Sequence, residues 1–288
     1  MSNIITLKNG NAVCKISTLG AELISYTVDG KEKIWQGGEG FWAGKSPILF
    51  PVCGRILDGF YLYKGNRYEL KAHGFVRNSE FSVVNEETST ATFLLESSDE
   101  LKVLYPFDFK FRVMYKLSET SLKIYFAIEN HSEEEMPYSV GCHEGYALEG
   151  ELSEYTLSFE EDENVILNTI TKNNYTSPDK KEIKLDKNEL NLSSYFTKDN
   201  DGDSLIVEDI KSKRVTLKRN GEDCLSVYFN DFKHLVLWTQ FGAKFLAIEP
   251  WNGLPDAFDT NHELSTKLSI EKLPSKSTKT VYHSITVY

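Results

Sequence analysis

The sequence predicts an all-β chain, a large antiparallel β-sandwich with few short helices. Three observations lead there. Apolar residues recur with period two along most of the 288 residues, the pattern of strands that bury one face. Turn-forming residues separate these runs at intervals of roughly ten residues, the spacing of an all-β sandwich or barrel. No stretch of about eleven residues or more keeps an amphipathic helical repeat.

Taken in order, residues 23–35 read as a hairpin around Asp29-Gly30, residues 60–70 around Lys64-Gly65-Asn66, and residues 81–95 around Glu86-Glu87-Thr88. Each turn carries residue types suited to a tight reversal. Residues 109–117 alternate, Ser118-Glu119-Thr120 turns the chain, and residues 122–128 run back with aromatic and branched side chains on the inward face. Further strands are expected at 155–159, 204–208, 214–217, 225–229, 234–239, 244–248, 267–270 and 280–287. Residues 168–191, rich in Asn, Lys, Thr and Asp, read as a long polar loop. No Gly/Pro/Ser linker separates two cores, so residues 1–288 are expected to form a single domain. Side chains fill the interior of such a sandwich, which sends a ligand to a concave sheet face or to the loops.

Composition narrows the function. Hydrophobic residues make up 40% and charged residues 26% of the chain, enough for a sizeable core and unlike disorder. With 32 Lys and Arg against 43 Asp and Glu, the formal charge is −11 and no basic run forms a stripe, so no nucleic-acid partner is expected. The start lacks the features of a signal peptide, and no segment approaches about 18 uninterrupted apolar residues. A cytoplasmic protein without a membrane partner is expected. Cys14, Cys53, Cys142 and Cys224 include no C-x-x-C pair and read as small core or pocket residues.

Four segments place polar groups in apolar or glycine-rich surroundings. Arg55 ends the buried-looking run Ser46-Pro47-Ile48-Leu49-Phe50-Pro51-Val52-Cys53-Gly54, where a guanidinium offers five fixed donors to a ligand or pairs with a structural carboxylate. His73 precedes Gly74, and His143 lies between Gly141 and Gly145. Either imidazole is a satisfied structural group or a proton-transfer group titrating near neutrality. Glu249 ends the apolar strand Phe245-Leu246-Ala247-Ile248, where lost hydration raises its pKa and strengthens it as a base. Trp42, Trp238, Trp251 and Phe41 lie near these segments in sequence; their flat faces suit sugar rings as well as a core.

These residues carry a resemblance. Gly20-Ala21-Glu22-Leu23, Pro47-Ile48-Leu49-Phe50-Pro51 up to Arg55, His73-Gly74-Phe75-Val76-Arg77, Gly141-Cys142-His143, Asp203-Ser204-Leu205-Ile206, Glu249-Pro250-Trp251 and Pro255-Asp256 occur in this order over nearly the whole chain. The chain thereby resembles the aldose 1-epimerase (galactose mutarotase) superfamily, in particular its LacX-type branch. The resemblance implies a galactose mutarotase-like supersandwich that interconverts the α and β anomers of an aldose, with no metal or organic cofactor. By position, Glu249 matches the family's base and His143 its acid on the ring oxygen. His73 and Arg55 match residues that hold the ring oxygens and stabilise developing charge, and Asp203 one that binds sugar hydroxyls. Trp42 and Trp251 are expected beside them as sugar-contacting rings. Glu144, next to His143, is expected to raise the imidazole's pKa.

Gly54-Arg55, His73-Gly74-Phe75 and His143-Glu144-Gly145-Tyr146 stand where better-known galactose mutarotases resemble Asn-Arg, His-Gly-Gly and His-x-Tyr-Phe-Asn, and Glu144 stands where the LacX-type branch often carries proline, so the resemblance leaves the sugar open. Arg77 brings in an alternative, a hexose-6-phosphate epimerase in which two arginines clamp a phosphate. Two others are a non-catalytic carbohydrate-binding module and a metalloenzyme using His73, His143 and Glu249. Those three lack the short-spaced ligand pair that marks a metal site in sequence. Nothing in the sequence decides between a monomer and a homodimer.

Overall fold

The computed structural model describes residues 2–170 and 173–288. Among them strand dominates, and the α-helices are two single turns, Asp99–Lys102 and Leu192–Tyr195. Two large antiparallel sheets carry the structure. The first has nine strands, in the order Glu189–Asn191, Tyr155–Phe159, Arg214–Arg219, Glu222–Tyr228, Thr278–Val287, Ser121–Asn130, Phe109–Leu117, Thr90–Glu96 and Ser82–Glu86. The expected hairpin lies at its centre: every second residue of Phe109–Leu117 is buried, and the register runs from Phe109 opposite Asn130 to Leu117 opposite Leu122.

The second sheet has eight strands. Seven run in the order Thr176–Lys184, Val165–Ile170, Leu205–Val207, His234–Trp238, Phe245–Asn252, Val140–Cys142 and Ile48–Leu49, and Gly145–Ala147 pairs separately onto Phe245–Asn252. A smaller sheet joins Ile4–Asn9, Ala12–Ser17, Leu23–Val28 and Lys31–Glu32. Its last turn places Asp29 at φ 50° and Gly30 at φ 75°, the two left-handed residues that a type I′ hairpin needs.

The large sheets face each other across one apolar cluster that draws residues from Leu7 to Val287. Phe50 stacks on Phe111 with ring centroids 4.8 Å apart, and Cys142 of the second sheet lies 3.7 Å from His283 of the first. Fully burying a Phe side chain contributes about 1.5–3 kcal/mol, so the inward alternation is the main force joining the layers.

Two expectations fail. Residues 168–191 are not a polar loop: the segment contributes to Val165–Ile170 and forms Thr176–Lys184 and Glu189–Asn191, while Thr171 and Lys172 lie outside the described residues. Thr176–Lys184 is an edge strand with residues 178–182 exposed, a position where charged side chains are tolerated because half the strand faces water. Residues 267–270 are not a strand either. They form a turn after a short 3₁₀ segment, with Ser269 at φ 56°, and the pairing strand is Glu271–Leu273. The alternation of residue types misleads there because burial runs against it: Lys267 is buried on an ion pair while Leu268 is 46% exposed.

Candidate active site

Alternation along the second sheet sorts its residues onto two faces. Leu205, Val207, Leu235, Leu237 and Ile248 belong to the main core, while Ile206, Val236, Trp238, Glu249 and Trp251 line a pocket. Cross-strand register aligns Ile206 with Val236 and Val236 with Glu249, so the carboxylate ends a row of apolar neighbours.

A break in the ladder brings in the histidine. Val140–Cys142 pairs with Phe245–Asn252 at Trp251 and Asn252, and Gly145–Ala147 pairs with it at residues 245–247. Between them the chain bulges, with Ile248 N–H donating to the Glu144 carbonyl at 3.2 Å and His143 N–H to the Pro47 carbonyl at 3.1 Å. His143 is thereby set against Glu249, with Nδ1 3.4 Å from Oε2. Neither of these two buried atoms has a hydrogen-bond partner among the described residues. The imidazole stacks on Trp42 (4.7 Å, 27°) and meets the edges of Trp238 and His73.

His73 arrives from another direction. It stands at φ 66° and Gly74 at φ 73°, and a Cβ on Gly74 would fall 2.1 Å from the Phe50 carbonyl oxygen, so only glycine fits. A left-handed non-glycine residue costs of order 1–3 kcal/mol and is held by its surroundings. Here the His73 N–H donates to the Gly54 carbonyl at 2.9 Å. The Gly54 N–H donates to His73 Nδ1 at 3.2 Å. An accepting Nδ1 places the proton of the neutral ring on Nε2, which makes His73 a fixed donor.

The resulting pocket has a volume of about 410 Å³, within the range of small-molecule sites. Larger cavities, two of about 580 Å³ and one of about 500 Å³, lack the carboxylate–imidazole pair, and volume alone does not identify a site. Burial governs the electrostatics. Glu249, 1% exposed, is pushed well above the usual carboxylate range, first by burial and then by the negative charge of Glu144. His143 falls to about 3 because burial disfavours imidazolium, with the Arg77 charge acting the same way. His73 is also pushed well down, by burial first and then by His143, Arg77 and Arg55.

The structure thus gathers Glu249, His143, His73, Arg55 and Trp251 in one pocket. Arg55 is exposed, and its guanidinium has no ion pair or hydrogen bond among the described residues. Trp42 acts on the pocket through the His143 ring without lining it. Asp203 stands between the lining residues Gly202 and Ser204 but is not itself part of the wall; with burial as the main cause, it helps push the Tyr195 hydroxyl to about 12. Arg77 lies outside the wall, its Nη2 donating to the Ala72 carbonyl at 3.3 Å.

Glu144 corrects an expectation. Alternation turns it to the core side, where Oε1 lies 2.8 Å from His283 Nε2, so it does not face His143 and the imidazole's pKa falls rather than rises. Cys142, Glu144 and His283 place ligand-type atoms within 4.8 Å of one another, the only such group of three among the described residues. His73, His143 and Glu249 do not converge in that way. Trp238, Asn174, Ser204 and Pro255 also line the pocket. Of these, Trp238 carried a signal as a tryptophan within a strand, and Ser204 and Pro255 lay in the segments of the resemblance; Asn174 carried none.

Comparison with known proteins places the fold among galactose mutarotase-like sandwiches. A galactose mutarotase related enzyme from Lactobacillus acidophilus superposes with a TM-score of 0.92 at 28% identity, over 99% of this chain and 97% of its own. A galactose mutarotase-like protein from Lactobacillus casei ATCC 334 gives 0.89 at 25% identity, over 99% and 100%. Protein LacX of Lactococcus lactis subsp. lactis, plasmid form, is 31% identical over 98% of this chain and 99% of its own. The sequence model described as aldose 1-epimerase matches residues 3–271. The chain belongs to the aldose 1-epimerase family, and is by family an isomerase that acts on sugars.

Proposed function

We propose that this chain is an aldose 1-epimerase that interconverts the α and β anomers of a free hexose by opening and reclosing the ring. The contact of Glu249 with His143 at 3.4 Å, inside a pocket walled also by His73 and Arg55, carries the reading. Glu249 takes the proton from the anomeric hydroxyl, the C1–O1 bond becomes a carbonyl, and the C1–O5 bond breaks as His143 protonates O5. Rotation about C1–C2 presents the other face of the aldehyde, and the two groups return their protons in reverse. The sugar is neither oxidised nor reduced and no group leaves it, so the step calls for no cofactor. His73, fixed with its Nε2 proton, donates to a sugar oxygen, and Trp251 and Trp238 offer flat faces to the ring.

Burial fits this cycle. A low pKa on His143 and a high one on Glu249 favour one proton for the pair, residing on the carboxyl. That is the protonation state reached after ring opening. Its tautomer, carboxylate plus imidazolium, opens the ring and has the same total charge, so both half-reactions occur without net charge entering a dry site. Accordingly the acid limb of kcat/KM is expected near pH 3, where a second proton joins the pair, and the alkaline limb where the carboxyl loses its proton, above the ordinary carboxylate range. An acid limb centred near 6.5, the ordinary histidine value, contradicts this.

The position of Arg77 supports a neutral sugar over a phosphorylated one, because Arg55 reaches the pocket without a second arginine in its wall. Arg55→Ala is expected to raise KM about tenfold while kcat changes little, as for a group that binds ground and transition states alike. The same reading takes residues 1–288 as one domain, supported by the apolar cluster that runs from Leu7 to Val287. An exchange-NMR panel of free and 6-phosphorylated hexoses tests the function. Faster anomer exchange for free hexoses is expected; acceleration confined to phosphorylated sugars, or to none, overturns it.

A further inference from the structure

The mechanism above leaves unused a lysine–carboxylate pair sealed inside the protein. Lys267 Nζ lies 2.6 Å from Asp256 Oδ1, with the two side chains 4% and 5% exposed. Isolated burial of either charge costs several kcal/mol, so the pair holds together and each partner fixes the other. The turn at residues 267–270 directs this amine inward, and Pro255-Asp256 belongs to a run that the proton-transfer scheme does not use.

Asp256 makes further bonds, and two of them hold the main chain at and just after Arg55. Its N–H donates to the Arg55 carbonyl at 2.9 Å. Its Oδ2 accepts from the Leu57 N–H at 2.8 Å. On the other flank the segment is held by His73 through the two Gly54 hydrogen bonds. Gly54 also packs so closely on Pro255 that a Cβ would fall 2.5 Å from the proline ring. Arg55 itself is exposed and its guanidinium has no anchor among the described residues, so its main chain is what fixes where the side chain starts and which region it sweeps.

We propose that Asp256, locked by Lys267, is a positioning residue that helps aim Arg55 into the sugar pocket by clamping the main chain at its carbonyl and at Leu57, opposite the flank that His73 holds. The inference rests on the sugar-isomerase reading for its consequence and on the hydrogen bonds alone for its structural part. Lys267 lets Asp256 spend one oxygen on the pair and the other on Leu57. A change at either residue therefore reaches the substrate through Arg55 and leaves the proton-transfer pair untouched.

The test uses Asp256→Asn, Arg55→Ala and their combination. An Asp256→Asn/Lys267→Met variant removes both charges and guards against unfolding caused by an unpaired buried lysine. Hydrogen exchange at residues 54–57 is measured without sugar, and KM and kcat by polarimetry with a free hexose. Asp256→Asn is expected to speed exchange at 54–57 and raise KM about tenfold, with kcat little changed, the loss of a well-placed hydrogen bond. In the Arg55→Ala background the same change is expected to add nothing to KM, because the group being aimed is gone. The charge-free variant is expected to match Asp256→Asn. Unchanged exchange at 54–57, unchanged KM, or full additivity with Arg55→Ala each overturns the proposal. Wild-type protein that turns over no hexose sinks the isomerase reading instead, and the exchange measurement then decides the clamp alone.

Discussion

Glu249→Gln is expected to lower kcat by about 10²–10⁴, the range for losing a positioned general base, with the fold and sugar affinity retained. The side chain is 1% exposed, and its Oε2 has no hydrogen-bond partner among the described residues, so an isosteric amide fits without breaking a bond to that atom. Burial already favours the uncharged form, which the amide imitates. Stability carries a second signature. Because the folded pKa lies above the ordinary value, the carboxyl's contribution is complete at low pH and is lost as pH rises through the raised value. Glutamine cannot ionise. Thermal melts across pH should therefore show the variant gaining on wild type as pH rises, and a variant that loses stability instead would mean the carboxylate is a structural ion.

His143→Asn is expected to cost a similar factor in kcat, with KM close to wild type. The ring nitrogen that delivers the proton to O5 is lost, while Arg55, His73 and Trp251 still hold the sugar. A change confined to KM would make His143 a binding group. Its pKa, lowered to about 3, means the fold favours neutral imidazole: that contribution is complete above about 6.5 and is lost as pH falls toward 3. The variant should accordingly lose less stability on acidification than wild type. Some loss remains, because His234 is likewise lowered to about 4 by burial.

Much of this arrangement is legible in the sequence, for physical reasons that differ by residue. Period-two alternation identified the strand of residues 109–117 because a half-buried strand must alternate. Glu249 was readable because a carboxylate ending Phe245-Leu246-Ala247-Ile248 has apolar neighbours on its own strand. That His143 faces it was legible only through the resemblance, since the contact depends on a broken ladder between two short strands. Glu144 misled because adjacency in sequence means opposite faces in extended chain. Lys267 misled because residue type gives no sign of a buried partner, and Asp256, 11 residues away, supplies it only after the intervening chain folds back. Edge strands such as Thr176–Lys184 escaped detection because hydrogen bonding, not side-chain burial, defines them.

Polarimetry on freshly dissolved α-glucose or α-galactose, with wild type beside Glu249→Gln at equal concentration, tests the shared proton shuttle most directly. The account predicts that rotation relaxes far faster with wild type than in buffer, and that the variant, still folded and still binding sugar, returns nearly to the buffer rate. Relaxation equally fast with both proteins would remove Glu249 from the reaction. Wild type no faster than buffer with any free hexose, while still binding one, would reduce the pocket to a sugar-binding site.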